Sequence, residues 1–270
     1  MDDANLRFEK IDTRESKPPI LISGSTLKII AIVCMVIDHI GAAILEKYLM
    51  IGKVEGADNS GLDGLILFDG LLRLIGRISF PIFIFLLVEG FKYTKSKWKY
   101  LLRMLVFALV SEIPFDMAFN LTSEEIKGGK IIDFGYQNVF FTLSIGLLAI
   151  IIIEMVYQLE LSKNATIFFV ILISAGFIML GFMLKIDYAG IGVAAIILMY
   201  VFRDAGSKAM LLVCGVLIIG SGLLEVTSLL AMIPISKYNG KRGIDLKYFF
   251  YGFYPVHLLI LALIGLAMGI

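Results

Sequence analysis

LKIIAIVCMVIDHIGAAIL, residues 27–45, decides the fold. Apart from Lys28 at its start, the run is apolar until Asp38 and His39 interrupt it, and it then continues with Gly, Ala, Ile and Leu. A helix of about 20 such residues crosses a hydrocarbon layer about 30 Å thick. The stretch therefore reads as a membrane span that carries an acid and an imidazole inside it. That position is costly, because a charge at the bilayer centre is disfavoured by about 2.5–3.5 kcal/mol even on lenient insertion scales.

The rest of the chain supports a membrane setting. Hydrophobic residues make up 59% of the 270, and the mean hydropathy is +0.91. Further apolar runs lie near 65–91, 99–119, 136–157, 165–184, 188–203, 209–232 and 248–270, so the expected fold is an all-α, polytopic bundle of roughly eight transmembrane helices. Some of these should be broken. The second run carries Asp69, Arg73, Arg77 and Pro81, and the sixth is short. No repeat and no soluble domain is evident, so 25–270 reads as one membrane domain and 1–24 as a polar cytoplasmic tail without a signal-peptide pattern.

Composition also excludes several function classes. A net charge of +1 gives no reason to expect nucleic acid as a partner. Cys34 and Cys214 lie in apolar runs at no metal-like spacing, and no zinc, Walker-loop or nucleophile-elbow motif occurs, so no metal site is expected. The surrounding lipid bilayer is the one partner that composition alone supplies. Lys and Arg cluster in 92–103, KYTKSKWKYLLR, which with the charges of the N-terminal tail argues for a cytoplasmic N-terminus. The basic loop 235–247, ISKYNGKRGIDLK, then falls on the outside, in tension with that rule.

The polar residues within apolar runs are the candidate site. His39 and His257, the chain's two histidines, fall at compatible depths if the last helix enters from the outside. Histidine is the side chain best suited to move a proton near neutral pH. Asp38 points about 100° away from His39 on a helix, so its natural role is to hold a neighbouring helix or an arginine, and Glu112 is an alternative partner for His39. Arg77, Asn138 and Tyr254 are further candidates at similar depth. Each of these groups could instead serve only to bond neighbouring helices. Acid–base catalysis by a histidine and proton-coupled transport both remain open on the residues alone, as does a non-enzymatic scaffold for assembling a surface structure.

Six blocks narrow the choice: STLKIIAIVCMVIDHIGA, GRISFPIFIFLLVEGF, SEIPFDMAF, QNVFFTLSIGL, DYAGIGV and YGFYPVHLLIL. In this order they resemble the TraX family, which is named for a conjugative-pilus protein that acetylates the N-terminus of pilin. That family is similar to a wider group of transmembrane acyltransferases that includes a lysosomal heparan glucosaminide acetyltransferase. The resemblance implies a bacterial inner-membrane enzyme that takes an acetyl group from cytosolic acetyl-CoA. It would pass the group to a peptide N-terminus such as pilin, or to a sugar acceptor. It implies His39 as the catalytic base, with Asp38, Glu112 and His257 around it. Arg77, Tyr254 and Asn138 would then stabilise the thioester oxyanion, and Lys95 and Lys97 would dock the CoA phosphates. The polar loops 120–134 and 233–247 would form the acceptor entrance.

Overall fold

The computed structural model describes residues 21–54, 62–245 and 247–270. The expected tail over 1–24 lies outside the described residues up to residue 20. The chain is a helical membrane bundle; among the described residues five helices are long and apolar enough to cross a membrane, and shorter apolar helices stand where further spans were read from the sequence. Two isolated β-bridges, Ile22 with Tyr238 and Gln137 with Ile186, join loops to one another.

The first pass is α1 (Gly24–Ile40), a π-helical turn (Gly41–Leu45) and α2 (Glu46–Val54). Ser23 caps α1 by accepting from the Thr26 N–H, which satisfies one of the donors left free at a helix start. The second pass is α3 (Leu62–Gly76) and α4 (Ser79–Tyr93). It is broken as expected, but at Arg77–Ile78 and not at Pro81. Pro81 is the third residue of α4, where a missing N–H costs nothing. Then come α5 (Lys97–Phe115), a second π turn (Asp116–Asn120) just after Pro114, and the short α6 (Ser123–Lys127). The remaining helices are α7 (Val139–Gln158), α8 (Lys163–Met183), α9 (Ala189–Val201), α10 (Ser207–Ser221), α11 (Met232–Ser236) and α12 (Lys247–Met268).

The interior is built on α7 and α9. Leu147, Ile150, Ile153, Val193, Ala195 and Ile196 are fully buried between neighbouring helices. α8 differs: Phe168, Ile171, Leu172 and Met179 are all exposed. In water such a stripe would be a liability, whereas on a membrane bundle it is the lipid-facing wall.

One expectation is corrected. The run 209–232 is not a single span. α10 ends at Ser221, Gly222 takes a left-handed φ of +103° that suits glycine, and the chain doubles back through a 3₁₀ stretch (Leu223–Ala231) into α11. The run thus supplies two short antiparallel apolar segments where one span was expected. The loop 237–242 therefore lies beside the start of α1, where Ile22 N–H donates to the Lys237 carbonyl (2.9 Å) and Gly24 N–H to the Lys241 carbonyl (2.8 Å). α12 starts at this same end and runs parallel to α1. Just past its end, the Ile270 carbonyl accepts from the Ser123 hydroxyl at the far end.

The corrected path removes the charge conflict. Lys28, Lys95, Lys97, Arg203, Lys241 and Arg242 now share the Gly24 end of the bundle. The loops 120–134 and 233–247 lie at opposite ends, so they cannot form one entrance together. In a cysteine-free background, single cysteines replacing Lys95 and Asn239 are expected to react with an impermeant maleimide from one side of the membrane, and one replacing Lys130 from the other. Labelling of position 239 together with position 130 would contradict the fold.

Candidate functional site

Two side chains that are adjacent in sequence leave α1 in different directions. Asp38 faces α3, where its carboxylate pairs with Arg73 Nη1 at 2.8 Å. Arg73 also reaches Glu46 through Nε at 3.3 Å and donates to the Asp38 carbonyl at 3.4 Å. The approach is close because residue 76 is glycine: a Cβ there would sit on the Asp38 carboxylate. Asp38 thus fastens α1 to α3, the helix-holding role expected of it, and its partner is Arg73, a residue outside the expected site.

His39 faces α12. Its Nδ1 lies 2.8 Å from His257 Nε2, across 218 residues of sequence, and the two rings meet end to end with centroids 5.0 Å apart and planes 9° apart. His257 Nδ1–H donates to the Phe253 carbonyl at 3.0 Å, and the Phe253 ring stacks on His257 at 5.1 Å. Phe119 meets His39 edge-on at 5.2 Å and Tyr254 does so at 6.2 Å. Both π turns border this place. Gly41–Leu45 begins two residues after His39, and Asp116–Asn120 supplies Phe119. Wide turns of this kind recur beside functional sites, where they displace a helix face by part of a turn.

His39 lies fifteen residues beyond Gly24, about 22 Å at 1.5 Å per residue, and His257 ten residues beyond Lys247, about 15 Å. The rings do meet, but not by the route expected: α12 rises from the same end as α1 and does not descend from the other, and the two counts differ by about five residues, about 7 Å.

The remaining candidates are placed elsewhere. Glu112 accepts from the Asn138 side-chain and backbone N–H groups, and Asn138 also donates to the Ala108 carbonyl at 2.8 Å. Its amide hydrogens are thereby used, and Glu112 is a partner of the α7 start, not of His39. Arg77 stands at the break between α3 and α4, 3.3 Å from buried Glu225 and 3.3 Å from the Tyr188 hydroxyl. Tyr188 in turn stacks on Phe80 at 3.9 Å. At the Gly24 end, Lys97 is held by Glu154 (3.3 Å) and by the Phe91 ring (4.4 Å), and Lys95 lies in the turn between α4 and α5. Among the described residues no group of three or more His, Cys, Asp or Glu could hold a metal ion.

The far-end loop has its own electrostatics. Lys130 pairs with Glu125 (3.0 Å) and Asp133 (3.2 Å). Hydrogen bonds from the Thr122 backbone, then from Lys130, hold the Glu125 carboxyl down to about 2. A carboxylate depressed in this way supports the loop above its ordinary titration range, and the support fades as pH falls through that range toward 2.

The family model described as TraX protein matches residues 23–265. The chain belongs to the TraX family. It is also similar to a protein of Dichelobacter nodosus named probable fimbrial assembly protein FimC, serogroup H1. The two are 29% identical over 259 residues, covering 88% of this chain and 94% of the relative. No solved structure matches. The matched region spans both histidines and both arginines of the α3 break.

The Asp38–Arg73 pair is expected to carry measurable stability. Asp38→Ala and Arg73→Ala should each lower the unfolding free energy in detergent by about 1–3 kcal/mol, less than for a fully buried pair because both side chains keep some exposure. The double variant should lose less than the sum of the two. Strict additivity would show that the pair is not coupled.

Proposed function

We propose that this TraX-family protein is an integral-membrane acetyltransferase of a bacterial cytoplasmic membrane. It takes the acetyl group of acetyl-CoA at the basic end of the bundle and gives it to an amine or hydroxyl acceptor. The observation that carries this reading is the contact of the chain's two histidines at 2.8 Å within the bundle, a pair suited to take up and return a proton. The name of the fimbrial relative favours a surface-fibre subunit, and so a peptide amine, as acceptor.

Orientation supports the donor side. The Gly24 end gathers Lys95, Lys97, Arg203, Lys241 and Arg242, and short basic loops stay in the cytoplasm, where acetyl-CoA is made. Lys95 with its neighbour Lys99 is better placed for the CoA phosphates than Lys97, which Glu154 already holds. From that end the thin pantetheine arm must carry the thioester inward along α1 to reach His39.

The chemistry needs a base and an oxyanion donor. The acceptor nitrogen or oxygen attacks the thioester carbonyl carbon and a C–N or C–O bond forms. The proton of the acceptor passes to His39, the C–S bond breaks, and the leaving thiolate takes up a proton to give CoA-SH. General base catalysis of this kind supplies about 10²–10⁴-fold. Of the candidates for the oxyanion, Tyr254 stands nearest the histidine rings, since Asn138 has spent its amide hydrogens and Arg77 is held by Glu225.

Purified protein in lipid nanodiscs, given acetyl-CoA and a pilin-like N-terminal peptide, is expected to release CoA thiol and acetylate the peptide. His39→Ala should lower the rate by about 10²–10⁴-fold in a protein that still folds. A folded His39→Ala protein that retains the wild-type rate would remove His39 from the mechanism.

A further inference from the structure

We propose that His257 is a positioning residue that fixes the tautomer of His39 and leaves His39 Nε2 as the one bare basic nitrogen of the pair. The argument begins at Phe253. Its carbonyl oxygen lies 3.0 Å from His257 Nδ1 and can only accept, so that nitrogen carries a hydrogen. A neutral imidazole has one N–H, and His257 Nε2 is therefore a lone pair. This lone pair faces His39 Nδ1 at 2.8 Å. Two lone pairs cannot share a contact of that length, so His39 Nδ1 holds the hydrogen and donates it. The second nitrogen of His39 is then unprotonated.

The direction is thus set by a backbone carbonyl one helical turn away, through two rings. This arrangement counters the habit of an unconstrained imidazole, which prefers its hydrogen on Nε2. Packing keeps the rings in register: Phe253 stacks on His257 within 13° of parallel, and Phe119 closes the edge of His39. What the bare nitrogen does rests on the acetyl-transfer reading. When the acceptor's proton arrives on His39 Nε2, the new positive charge points its Nδ1–H at a lone pair, and the existing hydrogen bond becomes charge-assisted. A buried carboxylate orients a catalytic histidine in the same sense elsewhere. Here a neutral imidazole does so, and Asp38 is left free to hold Arg73.

The test is ¹⁵N NMR of the full-length protein, ¹⁵N-labelled at histidine, in lipid nanodiscs near neutral pH. With two histidines in the chain the spectrum holds four ring nitrogens, and His257→Gln assigns them. Two neutral rings, each protonated at Nδ1, are expected. The Gln carbonyl can stand where Nε2 stood, so His39 should keep its tautomer in His257→Gln. His257→Leu should return it to Nε2–H. Acetyl transfer should follow the tautomer, with kcat largely retained in the Gln variant and lost by on the order of 10²–10⁴-fold in the Leu variant. A wild-type spectrum showing Nε2–H on His39, or a doubly protonated His257, would overturn the assignment even if the variants fail to fold. Equal loss of kcat in both variants while the Gln variant keeps the tautomer would overturn the positioning role. Expected tautomers with no acetyl transfer by any form would defeat the acetyltransferase reading and leave the tautomer assignment standing.

Discussion

In hydrocarbon a polar side chain must find its partner within the protein, and this requirement organises the bundle around α1. Asp38 and His39 are adjacent and point about 100° apart, so no single neighbour can satisfy both. Asp38 draws in Arg73 from α3, and His39 draws in His257 from α12. One helix is thereby tied to two others, one of them 218 residues away in sequence. Glycine at position 76 lets the first tie close, and the π turn after His39 re-aims the helix past the second.

That arrangement divides the protein into two ends with different chemistry. Around the start of α1 gather basic loops, including 237–242, which hydrogen-bonds directly to residues 22–25. At the other end a loop of mixed charge closes over the C-terminus through Ser123 and carries the ion pairs of Lys130. The histidine pair lies between them. A donor with phosphates suits the first end and an acceptor presented outside the cell suits the second, so the proposed transfer has a direction built into the charge distribution.

Much of this was legible in the sequence, and the exceptions have physical causes. The apolar runs, the broken second pass and the separate duties of Asp38 and His39 all follow from periodicity and the cost of charge in lipid, whereas the shared depth of the histidines was reached with α12 running the wrong way. The turn at Gly222 does not, because α10 and the returning 3₁₀ segment are both apolar and hydropathy merges them. Two signals pointed to it: the GSG at 220–222, and the basic loop 235–247 that appeared to stand on the wrong side of the membrane. Arg73 escaped because side-chain pairing across helices depends on rotation, which depth alone does not fix. Glu112 fell to Asn138 for the same reason, since both sit at the right height but face the start of α7.

The meeting of α1 and α12 at the histidines is the central claim, and it can be measured without any assumption about activity. A ¹⁵N–¹⁵N correlation spectrum of histidine-labelled protein in lipid should show a cross-peak between His39 Nδ1 and His257 Nε2, as a separation of 2.8 Å requires. Two histidine spin systems with no cross-peak between them, in a protein shown to be folded, would contradict the account.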